Sequence, residues 1–469
     1  MKTMKNLLLI ILLTAFTRSY CQPNFYERTY GPGTGMSIDK ALNGNFIIGA
    51  NQGTYPYYHA YYFLIDSHGD TIRTMNYSTS GLACVRQTAD SGFIFTGDSS
   101  SVAGIYKTDS VGNILWRHTY PSDIFGDLPT YSQSVILNNE NGYFVSFIED
   151  GNGPENPYII LKTDSVGNTL DSTIINPSIG YWSQNFLTLT RDSGLISANI
   201  GGTGDFFNLT KLDKNDNIVW SKIFQDTAYI SLGSKCAIQT NDGGYLAAGY
   251  KTLPFGGPKY GYIIKTDANG DSLWSKSYYF PNENVSFLCV LEDSYGQFYI
   301  TGEIKDSNNL NQYSIIILKT TSTGDTLWTR LFSGFGVASP NSLIFDIAQN
   351  PMVLGYTQDS ANGQPYIYLI KTDTAGNIPL GIIQLAKNES DVNIYPNPTF
   401  GTFTFSYNSQ TPILNSQLKI YDVLGQEVYT QAITNPNQTT INVSQLSNGV
   451  YFYQLTNNTE TYRGKFLKE

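Results

Sequence analysis

Apolar residues fill successive positions in short runs along this chain, as in Ile159-Ile160-Leu161 and Ile315-Ile316-Ile317-Leu318. A strand that is apolar on consecutive residues needs cover on both faces of its sheet. Such runs lead into a polar phrase seen in full at Tyr262-Ile263-Ile264-Lys265-Thr266-Asp267-Ala268-Asn269-Gly270-Asp271-Ser272-Leu273-Trp274, and the phrase recurs seven times. Its aspartate position falls at Asp66, Asp109, Asp164, Asp213, Asp267, Thr321 and Asp373, in steps of 43 to 55 residues. Three residues later stands Gly69, Gly112, Gly167, Asp216, Gly270, Gly324 or Gly376. The first Asx side chain can bond the backbone two residues on, and the fourth position accepts positive φ. The phrase therefore predicts strand, tight turn, strand.

Upstream of each hairpin lies another punctuated strand, such as Asp242-Gly243-Gly244-Tyr245-Leu246-Ala247-Ala248-Gly249, preceded by a further apolar run. Four strands per unit and a period of about fifty residues are the pattern of a propeller blade. The expected fold is all-β, a seven-bladed β-propeller over residues 22–380. Its last unit runs Gly376-Asn377-Ile378-Pro379-Leu380, and proline cannot donate to a ladder in mid-strand, so a fourth strand is missing there. Phe25-Tyr26-Glu27-Arg28-Thr29-Tyr30 aligns with Leu273-Trp274-Ser275-Lys276-Ser277-Tyr278 but completes no preceding phrase. Pairing of this N-terminal strand, residues 25–30, with the last blade would close the ring and remove its open ends.

The two ends of the chain depart from the repeat. Lys2 and Lys5, the apolar run Leu7 to Leu13, and Ser19-Tyr20-Cys21 before Gln22 read as a secretory signal peptide over residues 1–21. A lipoprotein would also use Cys21, but Arg18 stands where a lipobox wants an aliphatic residue. No later segment approaches the apolar length of a membrane helix, so no transmembrane segment is expected. Residues 381–391 read as a linker. Beyond them come Tyr395-Pro396-Asn397-Pro398-Thr399-Phe400-Gly401, then Leu418-Lys419-Ile420-Tyr421-Asp422-Val423-Leu424-Gly425-Gln426, then Leu446-Ser447-Asn448-Gly449-Val450-Tyr451-Phe452, and finally Arg463-Gly464-Lys465-Phe466. Short strands alternating with Gly and Asn turns predict a small C-terminal immunoglobulin-like β-sandwich over 392–469.

This set of ordered motifs, Pro396, Asn397, Pro398, Gly401, Asp422, Gly425, Gly449, Tyr451 and Lys465 among them, resembles the type A C-terminal sorting domain of the type IX secretion system. The resemblance implies a route: Sec export, passage through the outer membrane of a Gram-negative bacterium, and a partner in the type IX machinery. It also implies a secreted product or one anchored at the cell surface.

Charge narrows the partners. The formal charge is −10; Lys2, Lys5 and Arg18 make the signal basic, and 392–469 balances four basic with four acidic residues, leaving −13 for residues 22–391. An acidic propeller argues against nucleic acid, which binds basic stripes. Cys84, Cys236 and Cys289 each lie nine residues before the aromatic of the blade's second strand, with Ser37 and Ser134 in the same slot elsewhere. The expectation is a small buried residue on an inner strand. The lysine repeated at Lys107, Lys162, Lys211, Lys265, Lys319 and Lys371 reads as scaffold, its stem along the blade and its ammonium at an acceptor near the tip. Trp116, Trp220, Trp274 and Trp328 read as packing between blades.

Candidate chemistry is sparse. His59, His68 and His118 lack metal-ligand spacing, and no nucleophile elbow, phosphate loop or dinucleotide fingerprint is present. The Asp-rich turns resemble fragments of calcium loops but lack the closing glutamate. The repeat is similar in blade style to quinoprotein propellers, yet it has seven units and no adjacent cysteine pair. No cofactor and no metal are expected.

Strand parity sorts the turns onto two faces, one with short repetitive turns and one with long dissimilar loops. Loops that vary on a rigid scaffold are where binding usually resides. The long loops carry Tyr57, Tyr58, Tyr61, Tyr181, Trp182, Tyr229, Phe255 and Tyr260 among Asn, Asp and Gln, a mixture that can stack on sugar rings and bond their hydroxyls. The expected function is binding or adhesion to a glycan or a surface protein. The alternatives are a polysaccharide-cleaving enzyme drawing two carboxylates from Asp123, Asp127, Glu149, Asp150, Glu155 and Asp226, or a structural part of an envelope assembly.

Overall fold

The computed structural model describes residues 25–378 and 392–469, apart from 54–58, 78–80, 100–101, 121–128, 150–155, 179–186, 201–206, 226–230, 254–256, 307–312, 360–362, 408–415, 423–425, 434–437 and 457–460. The signal peptide and linker predicted from sequence lie outside the described residues. The chain divides into two compact units, Met1–Pro379 and Leu380–Glu469.

The first six repeated phrases fold as hairpins for the reason their residues give, and the seventh makes the same turn at Asp373 to Asn377 without a following strand among the described residues. In the fifth unit the Asp267 carboxylate accepts the N–H groups of Asn269 and Asp271, each at 2.9 Å, while Gly270 takes φ +79°. Four such strands make each antiparallel sheet, as in Ser231–Gln239, Tyr245–Thr252, Lys259–Thr266 and Ser272–Tyr278. Seven such blades follow one another: blade 1 over residues 34–76, blade 2 over 81–120, blade 3 over 130–178, blade 4 over 187–224, blade 5 over 231–278, blade 6 over 283–332, and blade 7, with one parallel pairing of Tyr313 with Val337 joining blades 6 and 7 into a single eight-stranded sheet. Blade 7 takes three strands from residues 336–371 and its outer strand from Tyr26–Pro32, with Tyr26 opposite Lys371. The first unit is a seven-bladed β-propeller. Middle strands are buried on both faces, as in the third strand of blade 6, where Ile315, Ile316, Ile317 and Leu318 are all fully buried.

The blades are joined by a contact that recurs around the ring. Trp116, Trp220, Trp274 and Trp328 on the outer strands lie over Gly167, Gly270, Gly324 and Gly376 of the following blade's turn. A Cβ on any of these glycines would stand 2.7 to 3.0 Å from the indole, so glycine is required there by packing as well as by φ. Tyr26 covers Gly69 in the same way, which makes the N-terminal strand an ordinary member of the ring. Four residues after the indole position, Tyr30, Tyr77, Tyr120 and Tyr278 donate their hydroxyls to the carbonyls of Gly69, Gly112, Gly167 and Gly324, at 2.7 to 3.0 Å. Phe224 and Phe332 occupy this place in blades 4 and 6. Tyr278→Phe is therefore expected to fold, with a loss of about 1 kcal/mol from the carbonyl left unpaired. A urea midpoint equal to that of the parent protein would sink this account.

The repeated lysine reaches the acidic residue of its own blade's first turn. Nζ of Lys107, Lys162, Lys211, Lys265, Lys319 and Lys371 lies 2.8 to 3.6 Å from Asp90, Glu140, Asp192, Asp242, Asp293 and Asp346. Blade 1 lacks both partners, with Leu64 at the lysine position and Ala41-Leu42-Asn43-Gly44 in the turn. Burial works against ionisation of Asp90 and Asp242. Bonds to Asp90 from Lys107, Thr88 and Gly92, and to Asp242 from Thr240, Lys265 and Gly244, nevertheless hold both at about 2.

The three cysteines are free and buried. Each follows a bulge in its inner strand, and Cys84 and Cys289 donate weakly to Val135 O and Asn341 O of the next blade at 3.7 Å. Ser37, in the same slot, accepts the Val85 N–H at 3.0 Å. The position thus asks for a small side chain that can bond the neighbouring inner strand.

The second unit has two sheets. One orders Val392–Tyr395, Thr402–Tyr407 and Gln438–Asn442; the other orders Glu427–Ile433, Ser416–Tyr421, Gly449–Thr456 and Thr461–Lys468. Phe403 and Phe405 of the first meet Phe466 and Tyr453 of the second at ring separations of 4.6 and 4.9 Å, making a small β-sandwich.

Candidate functional site

The face with short turns offers little for a ligand. Its Asp carboxylates are occupied by the N–H groups of their own turns, as at Asp109, Asp164, Asp213 and Asp373. Among the described residues no group of three or more His, Cys, Asp or Glu side chains could hold a metal ion. Along the axis the inner strands leave a cavity of about 230 Å³ lined mainly by aliphatic residues such as Ile136, Leu189, Ile238 and Leu291. Its one charged lining residue, Arg86, lies 3.4 Å from Asp39.

The long-loop face differs, and its described part is richest across blades 5 and 6. The second strand of blade 5 ends at Thr252, opposite Lys259 at the start of the third, and the ammonium of Lys259 stands over the Tyr250 ring at 4.1 Å. The Lys259 backbone N–H donates to Asn284 Oδ1 at 2.8 Å, which ties this edge to blade 6. Tyr260 packs on Tyr279, their rings 5.4 Å apart and tilted by 39°, and Tyr279 is 57% exposed. In blade 6, Lys305 Nζ donates to the Tyr313 hydroxyl at 2.6 Å. Glu303 accepts from the Ser339 hydroxyl of blade 7. Burial lowers the Lys259 pKa, Glu303 opposes this and Lys305 adds to it. Neither Lys259 nor Lys305 has a carboxylate within 4 Å among the described residues, unlike the repeated lysines at the other face.

Of the aromatic residues proposed from sequence, only Tyr61 and Tyr260 fall within the described residues; Tyr57, Tyr58, Tyr181, Trp182, Tyr229 and Phe255 lie outside them. Tyr61 is stacked on Phe63 at 6.0 Å against the core shared by blades 1 and 7, and burial pushes its hydroxyl up to about 12. Its environment is that of a packing residue. Tyr260 stands at the surface beside Lys259. Sequence reasoning passed over Tyr250, Lys259, Tyr279, Lys305 and Tyr313. The available signal was repetition itself, since Lys259 and Lys305 are cations that the other blades do not repeat. Among the candidate carboxylates only Glu149 is described, and it is fully buried, so it faces no cleft; Asp123, Asp127, Asp150, Glu155 and Asp226 lie outside.

In the second unit the motif residues stitch the two ends of the sandwich together. Asn397 Oδ1 accepts the Leu467 N–H at 2.9 Å, and Thr399 exchanges backbone bonds with Leu467 and Glu469. Gly401 O accepts the Val443 N–H at 2.7 Å, and a Cβ on Gly401 would stand 3.3 Å from Ser444. Pro396 and Pro398 flank Asn397 at the surface. Asp422 accepts the Gln426 N–H at 2.9 Å, and Gly425 lies outside the described residues. The Tyr451 hydroxyl donates to Ser447 O at 2.8 Å, beside Gly449. Lys465 is exposed on the last strand.

Residues 393–469 match the family described as the secretion system C-terminal sorting domain. Comparison with curated proteins finds no match. Two solved structures are similar at low identity. The Dos1 propeller is 12% identical with a TM-score of 0.42, covering 73% of this chain and 94% of its own. A protein from Lactobacillus plantarum is 11% identical with a TM-score of 0.46, covering 70% and 96%. The fold assignment rests on the strand pairing above and not on these likenesses. Among the described residues no helix is long and apolar enough to cross a membrane. The chain carries a type IX C-terminal sorting domain behind a seven-bladed β-propeller, and is a protein sorted for secretion or for anchoring at the cell surface.

Proposed function

We propose that the propeller is a binding or adhesion module that recognises a glycan through its long-loop face. The observation that carries this reading is the cluster of Tyr250, Lys259, Tyr260, Tyr279, Lys305 and Tyr313 on adjoining blades, where rings and amines without carboxylate partners among the described residues share one surface. Tyrosine rings stack on the C–H faces of sugars, and their hydroxyls meet sugar hydroxyls at low conformational cost. The chain is read in functional parts: residues 1–21 as a signal removed on export, 22–380 as cargo, 381–391 as linker, and 392–469 as the address for the type IX machinery.

The test is binding of residues 22–469 to a broad glycan array, with Tyr260→Ala and Trp182→Ala as controls. Specific binding that falls at least about tenfold in Tyr260→Ala supports the reading. Silence across the array moves the search to surface proteins as partners.

A further inference from the structure

Two sets of lysines in this propeller stand in contrast, while Lys222 and Lys276 pair with Asp271 and Asp325 and the buried Lys251 lies over the Tyr262 ring. The six repeated ones each have a carboxylate at their tip. Lys259 and Lys305 belong to neighbouring blades, open onto the long-loop face, and rest against tyrosines Tyr250 and Tyr313 with no carboxylate within 4 Å among the described residues. In a first unit whose overall charge is strongly acidic, a pair of mutually repelling, half-buried ammonium groups is costly to hold without an anion. The acids of this edge are engaged with other groups or with each other: Glu303 accepts from Ser339, and Glu283, opposite Asp306 beside the Asn284–Lys305 pair, has its pKa raised by burial and by that second carboxylate. Beside the pair, the half-buried Tyr260 ring is tilted against the exposed ring of Tyr279.

Resting on the glycan reading above, we propose that Lys259 and Lys305, with Tyr250, Tyr260, Tyr279 and Tyr313, form a subsite for a carboxylate-bearing sugar, a uronic acid within a polysaccharide. The two ammonium groups take the carboxylate and the rings take the apolar faces of the flanking residues. The environment of Lys259 agrees in sign: an anion at this place offsets burial and the repulsion from Lys305, so binding is accompanied by proton uptake wherever Lys259 is partly deprotonated. Affinity consequently falls as pH rises through the titration of Lys259, and it falls with salt.

The experiment titrates residues 22–469 with oligomers of galacturonate, guluronate, mannuronate and glucuronate, and with their methyl esters, which keep the ring and remove the charge. The expected result is binding of at least one acid oligomer, weakened about tenfold or more by esterification, by Lys259→Met with Lys305→Met, or by about 0.5 M salt. Lys259→Arg should retain most of the affinity, and unchanged urea midpoints in the variants exclude unfolding as the cause. Equal binding of acid and ester overturns the carboxylate subsite and leaves the glycan reading standing. Binding of neutral glycans alone does the same. Binding of no sugar in either form overturns both.

Discussion

Lys371→Met is expected to destabilise the propeller by about 3 kcal/mol or more, the largest effect of any of the repeated lysines. The Lys371 side chain is 1% exposed and its partner Asp346 8%, 3.1 Å apart; Lys319 is 11% exposed and stands farther, 3.6 Å, from its buried partner Asp293, and the carboxylates facing Lys107, Lys162, Lys211 and Lys265 are more than half exposed. Nζ also donates to Ser67 O in blade 1 at 3.2 Å, and Lys371 stands opposite Tyr26 where the two ends of the ring pair. One ammonium therefore serves its own blade and the closure of the circle. Burial pushes the Asp346 carboxyl up, but bonds from the Asn350 backbone, the Asn350 side chain and Lys371 outweigh it and hold the group below its ordinary value. Methionine keeps the apolar stem and removes the charge, which leaves Asp346 buried without its cation. Asp346→Asn added to Lys371→Met should recover part of the loss, because the uncompensated charge goes too. All five tryptophans precede residue 329, so urea unfolding followed by tryptophan fluorescence reads this unit alone. A midpoint no lower than that of Lys107→Met would refute the argument.

The pH dependence of this pair has a fixed sign. A carboxyl held below its unfolded value contributes stability above about pH 4 that is lost as pH falls through the folded value. Asp90, Asp242 and Asp346 all act in this direction.

Asp216→Asn is expected to do the reverse and stabilise the protein at neutral pH. Blade 4 has Asp216 where the other blades have the turn glycine, and blade 3 has Asp171 where a tryptophan would cover it. The two departures belong together, since an indole could not lie over a turn residue with a side chain. Asp216 keeps φ +64° and is 1% exposed, and neither carboxylate oxygen has a hydrogen-bond partner among the described residues. Burial pushes its pKa up to about 6, opposed by Lys162 and helped by Asp171 and Asp213. Because the folded value lies above the unfolded one, stability is lost as pH rises from about 4 through 6, and the deficit is complete at pH 7. Asparagine accepts the same backbone conformation and carries no charge, so the gain at pH 7 is about 2 kcal/mol and vanishes below about pH 4. Parallel stability profiles for parent and variant across that interval would show that the carboxyl carries no such cost.

The sorting domain was legible because its motifs are local and ordered along the chain; the structure adds that Asn397 and Thr399 hold the last strand and that Gly401 bonds Val443, just past the strand Gln438–Asn442. The binding face was legible only in outline. Tyr260 was found as a loop aromatic, but Lys259 and Lys305 looked like ordinary polar residues at strand ends, since the two lie 46 residues apart and in different blades. Tyr61 sits in a strand beside the same kind of loop and turned inward instead, because Phe63 two positions on shares its face of the sheet.

The sequence by itself determined the all-β class, the seven units and the small second sandwich, because turn chemistry acts over four or five residues and a fifty-residue period is visible without coordinates. Tertiary structure alone decided which acid each repeated lysine meets, which tyrosine hydroxyl closes on which glycine carbonyl, that Asp216 is buried without a partner, and that two unrepeated lysines share one surface. These are contacts between strands and blades, set by sheet register and by the packing of one blade on the next, and such distances through space have no counterpart in the spacing of residues along the chain.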